Sequence, residues 1–333
     1  MITAGLRRAI LAAACPGGAE DGDPLLRPGP APGSYASSLP FRLAEPGQDP
    51  REVAAALAGR LAGEPWIAVA EVTGRGFLTV TVTHDALAGL AVRIARAGPA
   101  CAQSDALHGR TMAAAPPGPL AAAPGWPQAR AALAAQLTAR LAAAAGATVF
   151  LYPERSSVPA PAPPPAASPG TGPTAAAVAY VGADAVRFAL ARMPPGGEPP
   201  DAAVIARHVL ANPAYAVRYA HAAAAAVLRW AAALGTRPAG FMPCLLAESG
   251  ELALLDALSW LPERVAMAAR RGRPDEFAGY LEELAARTIE TMSTTSFTTV
   301  SSISSERLWL ADAARTGLAA GLGLLGIGAP DRL

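Results

Sequence analysis

The chain has 333 residues, 52% of them hydrophobic, and balances 27 basic against 26 acidic side chains for a net charge of +1. That length suffices for two or three hydrophobic cores of ordinary domain size, and so even a charge excludes a protein that grips phosphates by bulk electrostatics alone. Every basic side chain is arginine, with no lysine anywhere, so arginine enrichment in a segment reflects compositional bias as much as function.

Residues 1–84 read as an α+β unit. Leu6, Ile10 and Ala13 give the opening segment the period of an amphipathic helix, which suits it better than a signal peptide because its apolar run covers only Ala9 to Cys15. Asp49 followed by Pro50 is a helix cap with proline at the first helical position, and Val53, Leu57 and Leu61 then recur on one stripe. The run from Trp66 to Val72 leads through Gly74-Arg75-Gly76 into Phe77 to Thr83, a hairpin. On its second strand Leu78, Val80 and Val82 make an apolar face, and Phe77, Thr79, Thr81 and Thr83 make the other.

Residues 85–152 hold one clear helix (128–145) and one short strand (148–152), enough for a reduced α/β remnant but not for a doubly wound nucleotide-binding domain, which needs several βα repeats. Pro/Gly/Ala-rich sequence at 113–127, and more densely at 153–177, breaks the chain, and the second stretch reads as an extended or disordered linker. From 178 to 333 the pattern is an all-α bundle. Asn212 caps a helix with Pro213 at its first position, and Tyr215, Tyr219, Ala222, Ala226 and Trp230 share one face. Further helices are expected at 252–271, 275–292 and 306–323, with an uncharged Ser/Thr loop at 293–305 whose last serines cap the final helix.

Three separated segments carry a resemblance. SYASSLPFRLAEPGQDPREVAAALAGRL (34–61) with EVTGRGFLTVTV (71–82), then GADAVRFAL (182–190) with NPAYAVRYAHA (212–222), and finally RLWLADAARTGLAAGLGLLGIGAPDRL (307–333) are similar, in this order, to arginyl-tRNA synthetase. The first resembles that family's additional N-terminal domain. The second resembles the entrance to its anticodon-binding domain, with Asp184, Ala185 and Arg187 matching the Asp-Ala-Leu-Arg motif, and the third resembles its closing helix and terminus. The resemblance departs at Arg218, Ala223 and Leu333, where the family has glutamine, arginine and methionine. It departs most in the centre. His108-Gly109-Arg110 is a lone fragment of the HIGH motif, and a chain without lysine has no KMSKS loop to place a point charge on departing pyrophosphate.

The resemblance implies RNA contacts at Phe77 and Thr79 for the tRNA elbow, at Tyr215, Arg218, Tyr219 and Arg229 for the anticodon stem-loop, and at Arg307, Arg332 and Leu333 for the anticodon. Arg270 and Arg271 belong to the densest basic cluster and are backbone-contact candidates. Asp184, Arg187, Asn212, Pro213 and His221 are structural or motif residues. Each candidate also has a plainer reading: Phe77 under a neighbouring helix, the tyrosines packed inside the bundle, the arginines on a solvated face or at the negative end of a helix dipole. Cys15, Cys101 and Cys244 lie far apart with no CxxC pair, so no metal, cofactor or disulfide framework is expected and a reducing cytoplasm is the default. No apolar run approaches the roughly 20 residues that span a bilayer. Three functions stay open: a tRNA-binding protein, with arginine tRNA as partner, that no longer activates an amino acid; a regulatory paralogue that binds a protein such as the true synthetase and no RNA; and residual arginine–tRNA ligase activity.

Overall fold

The computed structural model describes residues 1–14, 23–114, 118–151, 172–299 and 303–333. Helix α1 (Ile2–Ala14) buries Leu6, Ile10 and Ala13 as their period requires. Strands β1 (Leu26–Pro28) and β2 (Ser34–Ser37) and the short helix α2 (Leu39–Leu43) lead to α3 (Pro50–Leu61), capped by Asp49, whose side chain accepts from the Arg51 amide. The stripe of α3 is shifted from the expected one. Ala54, Leu57, Ala58 and Leu61 are buried while Val53 sits at the margin, because alanine lets the helix approach β3 and β4 closely.

The expected hairpin is β3 (Ile67–Thr73) and β4 (Phe77–Val82), but it is half of a four-stranded antiparallel sheet of order β1-β2-β4-β3. Sequence reading missed β1 and β2. They are three and four residues long, and strands that short show no period.

Next come α4 (His84–Ala88), α5 (Leu90–Ala97), a 3-10 turn at Gly98–Ala102, β5 (Thr111–Ala114), α6 (Trp126–Ala144) and β6 (Thr148–Leu151). Strands β5 and β6 pair in parallel across α6, a single βαβ crossover. This middle segment is embedded rather than set apart. Helix α5 and the 3-10 turn pack on the last helix of the chain, and α6 packs on several helices of the bundle.

The bundle consists of α7 (Pro173–Val181), α8 (Ala183–Arg192), α9 (Ala202–Ile205), α10 (Pro213–Ala233), α11 (Ser249–Ser259), α12 (Leu261–Arg271), α13 (Pro274–Met292), α14 (Thr295–Thr298) and α15 (Ser305–Leu325). Two expectations are corrected. The linker does not extend to residue 177, since 173–177 open α7 with proline in the first turn and alanine after it; most of the stretch, 153–171, lies outside the described residues. The helix expected over 252–271 is two helices meeting at Trp260, because Pro262 has no amide hydrogen and its ring disfavours a continuous helix. Ser304 caps α15, as the serine-rich loop suggests. The fold class is the expected one: mostly helical, with a small antiparallel sheet in the N-terminal region and a helical C-terminal part.

One continuous apolar core runs from Ile2 to Ile327. The N-terminal unit sits against the corner between α11 and α12. Thr3 donates to the Ser259 carbonyl (2.7 Å), Tyr35 donates to the Ser259 hydroxyl (2.7 Å), and the Gly33 amide donates to Asp256 (2.9 Å). Arg7 meets both carboxylate oxygens of buried Glu263 at 2.8 Å, and Arg270 bridges Glu263 (2.7 Å) and Asp23 (2.6 Å). Two cations and two anions thus neutralise one another inside the contact.

Candidate nucleic-acid interface

Phe77 stands at the head of β4, placed by the Gly74–Gly76 turn. Gly76 has φ +125°, and a Cβ there would lie 3.0 Å from the Pro50 backbone, so only glycine lets the hairpin press on the start of α3. The Phe77 ring is half-buried and meets Phe41 of α2 edge-on, with centroids 4.9 Å apart. Phe41 is 40% exposed and was not among the sequence candidates. Thr79 is buried at 6%, its hydroxyl 2.7 Å from that of Thr73, so it presents nothing to a ligand from outside. The exposed aromatic element of this unit is therefore a Phe41–Phe77 pair.

Helix α10 packs on α13 and α15 through Ala214, Val217, Ala220, His221, Ala224, Ala225, Val227 and Ala231. Small side chains face inward, which lets the helix axes approach closely and turns the large ones out. The plain reading of the tyrosines as bundle core fails. Tyr215 is half-buried, Tyr219 is 37% exposed, and their rings stack with centroids 5.8 Å apart and planes at 25°. A third ring extends the row: His208 lies over Tyr215 at 5.4 Å and 13°. Nothing in the pattern pointed to His208, which sits in the loop before the helix.

Arg218 follows on the same helix, partly buried, with its Nε shielded from water and without a hydrogen-bond partner. The stretch 202–247 contains four arginines (Arg207, Arg218, Arg229 and Arg237) and no acidic residue, so this part of a nearly neutral chain is cationic.

The other side of α10 holds the C-terminal tail. His221 is buried and its Nδ1–H donates to the Pro330 carbonyl (3.0 Å), while Arg229 donates to the Asp331 carbonyl (2.6 Å). Burial pushes the His221 imidazole below its ordinary value, against the opposing pull of the Pro330 carbonyl and Asp331. Asp184 accepts from the Gly328 amide (3.0 Å). Arg187 and Arg140 lie at Gly326, the left-handed cap of α15, where guanidiniums favour the negative end of the helix dipole. Burial, with Arg140 beside it, lowers the Arg187 pKa. Thus Asp184, Arg187, His221 and Arg229 clamp the tail, and Arg332 and Leu333 (55% exposed) project beyond the clamp.

The remaining arginine candidates are engaged by acids. Arg307 meets Glu251 and Glu248, each at 2.7 Å, and Arg270 belongs to the buried network described above. Arg271 pairs with Glu276 (2.9 Å) though 56% exposed, and Arg264 lies over the Trp260 and Tyr280 rings at 5.8 Å. In the middle segment His108 lines a cleft of about 470 Å³ with Arg8, Arg93, Cys101 and Asp105. Burial raises the Cys101 thiol to about 12, which keeps it from acting as a nucleophile near neutral pH. Among the described residues no group of three or more His, Cys, Asp or Glu is placed to hold a metal ion, and no helix is long and apolar enough to cross a membrane.

Comparison with known proteins gives two family matches. Residues 1–82 match the arginyl tRNA synthetase N terminal domain, and residues 217–333 match the DALR anticodon binding domain. Tyr219 and Arg218 fall inside the second match, whereas Asp184, Asn212 and Tyr215 precede it. Among curated relatives, the arginine–tRNA ligase of Kineococcus radiotolerans is 41% identical over 163 residues, 47% of this chain and 29% of that protein. That of Clavibacter sepedonicus is 39% identical over 159 residues, 46% of this chain and 29% of its own length. Each match thus spans under a third of its relative. Among solved structures, Thermus thermophilus arginyl-tRNA synthetase aligns with a TM-score of 0.40 at 17% identity, covering 100% of this chain and 59% of that one.

Proposed function

Because the chain is an arginyl-tRNA synthetase-like protein, with that family's N-terminal domain at one end and its DALR anticodon-binding domain at the other, we propose that it binds transfer RNA without activating an amino acid. The observation that carries the reading is the outward Tyr215–Tyr219 stack beside Arg218 on α10. Stacked, partly exposed rings next to a cation without an acid suit unpaired bases and the phosphates that join them. Phe77, backed by Phe41, offers a second contact on the N-terminal domain. The tail clamp makes Asp184, Arg187, His221 and Arg229 supports of this surface, as the cap makes Asn212 and Pro213, with Leu333 and Arg332 at its edge. Arg270 and Arg307 act in the fold, and Arg271 contributes only where it exchanges Glu276 for a phosphate.

We divide the chain into an N-terminal domain (1–84), a reduced catalytic remnant (85–152), a linker ending before α7, and the anticodon-binding domain up to residue 333. The loss of activation rests on chemistry: among the described residues one βαβ crossover lies between the two matched domains, and no lysine is available for pyrophosphate. The protein acts in the cytoplasm, with arginine tRNA as its first candidate ligand. Electrophoretic mobility shift of the full chain with arginine tRNA at moderate salt tests binding, and an ATP–pyrophosphate exchange assay with arginine tests activation. Retarded RNA with exchange at background is expected; exchange above background overturns the second half of the proposal.

A second reading has its own support. Several arginines that would grip RNA are neutralised by acids, as Arg270 and Arg307 are, which suits a paralogue that binds a protein, such as the true synthetase. A stoichiometric protein partner that survives ribonuclease, with no RNA shift at micromolar protein, would select it.

A further inference from the structure

The loop that enters α10 has no assigned role, yet it is more ordered and more exposed than a connector requires. Asn212, besides accepting from the Ala214 amide as a helix cap, donates through Nδ2 to the carbonyls of Ile205 (2.9 Å) and Arg207 (2.7 Å), and its own amide donates to the Val209 carbonyl (2.9 Å). Three bonds therefore stitch residues 205–209 to the helix start. The result is that His208, on an exposed loop, is held with its ring nearly parallel to Tyr215, at 13°.

Around it the surface is unusual for a protein with nothing bound there. Val209 and Leu210 are 47% and 52% exposed, and Tyr219 is 37% exposed. Arg207 is exposed and carries no ion pair among the described residues. Two solvent-facing aliphatic side chains, a row of three rings and flanking arginines that make no ion pair among the described residues form a surface whose apolar part water solvates poorly.

We propose that His208 is a third stacking ring of the RNA-binding surface: an unpaired nucleobase lies on the outer face of His208, continuing the His208–Tyr215–Tyr219 row, with Arg207 and Arg218 meeting the phosphates on either side. The base must be unpaired, because a base in a duplex has both faces occupied by its neighbours. With centroids at 5.4 and 5.8 Å, adjacent rings are in offset contact and leave no gap for a base between them, so the row is lengthened at its end. Asn212 acts as a positioning residue, since it fixes the loop before RNA arrives and so reduces the entropy lost on binding. This inference rests on the RNA-binding reading and adds to it a stacking residue on the loop, His208, and the residue that positions it, Asn212.

The test uses the full chain and arginine tRNA carrying 2-aminopurine at one anticodon-loop position at a time, with fluorescence anisotropy for affinity and base fluorescence for stacking. His208→Ala is expected to weaken binding about 5- to 50-fold, in the range of one lost stack, and to restore 2-aminopurine emission at one position. His208→Phe is expected to keep both affinity and quenching, since it retains the ring and removes the nitrogen atoms. Circular dichroism of each variant should overlay that of the wild type. If the wild type binds and His208→Ala binds equally well, or if His208→Phe is as weak as the alanine variant, the stacking role is overturned while the RNA-binding reading stands. A wild type that binds no tRNA ends both.

Discussion

Asn212 satisfies five backbone groups at the mouth of α10, three of them through its side chain. Asn212→Ala removes the cap and two loop bonds together, and a loss of about 2–3 kcal/mol is expected. Asn212→Asp keeps the acceptor for the helix but sets a carboxylate against two carbonyls, so it should also lower stability. Urea denaturation of the three proteins checks this, and equal midpoints would show that the stitch is idle. His221 gives a pH dependence with a definite sign. Burial, reinforced by Arg315, lowers its folded pKa below the ordinary value of about 6.5, while the unfolded chain keeps that value. The unfolded state therefore takes up the proton first as pH falls, so this contribution is complete above that pH and is lost below it. Between pH 7.5 and 5.5 the wild type should lose stability, and His221→Asn, which keeps an N–H for Pro330, should lose less over that range.

At the scale of elements, α10 illustrates why its faces could not be read from the pattern. A helix with alanine on every side has no strong apolar stripe, and its orientation is set by which face fits between α13 and α15. Size decides, so Tyr215 and Tyr219 turn outward although their spacing of four is that of a core stripe. The hairpin is the opposite case. Gly74-Arg75-Gly76 between two β-branched runs announces β3 and β4, because the backbone there needs conformations other residues resist. Gly76→Ala should cost about 1–3 kcal/mol, from its positive φ and its approach to Pro50. It should also disturb Phe77; an unchanged thermal midpoint would show that the turn relaxes freely. The corner at Trp260, produced by Pro262, has a purpose that neither residue reveals alone. It presents Ser259 to Thr3 and Tyr35, and the Trp260 ring packs 5.4 Å from that of Tyr35.

The whole molecule is bound together by that contact. Glu263 is 4% exposed and receives both Arg7 and Arg270. Glu263→Ala removes the buried carboxylate that both guanidiniums share and should cost about 3–5 kcal/mol, the usual loss when one partner of a buried ion pair is removed. Because one apolar core links the N-terminal unit to the bundle, heat should unfold both in one transition, seen at the same temperature by far-ultraviolet dichroism and by tryptophan fluorescence. Two separated transitions would mean that the units are merely tethered.

What could be read without coordinates was whatever depends on neighbours along the chain: the Asp49 and Asn212 caps, the glycine turn, the helical period from 274 onward, the absence of lysine and the family likeness at both ends. Local backbone chemistry settles such features, so they are written in short segments. The three-dimensional packing alone settled that Thr79 is enclosed, that Arg270 and Arg307 are held by acids, that Asp184 and Arg229 hold a tail, and that His208 joins the tyrosines. Each of these depends on partners 6 to 247 positions away along the chain, and no local pattern encodes where such a partner will lie.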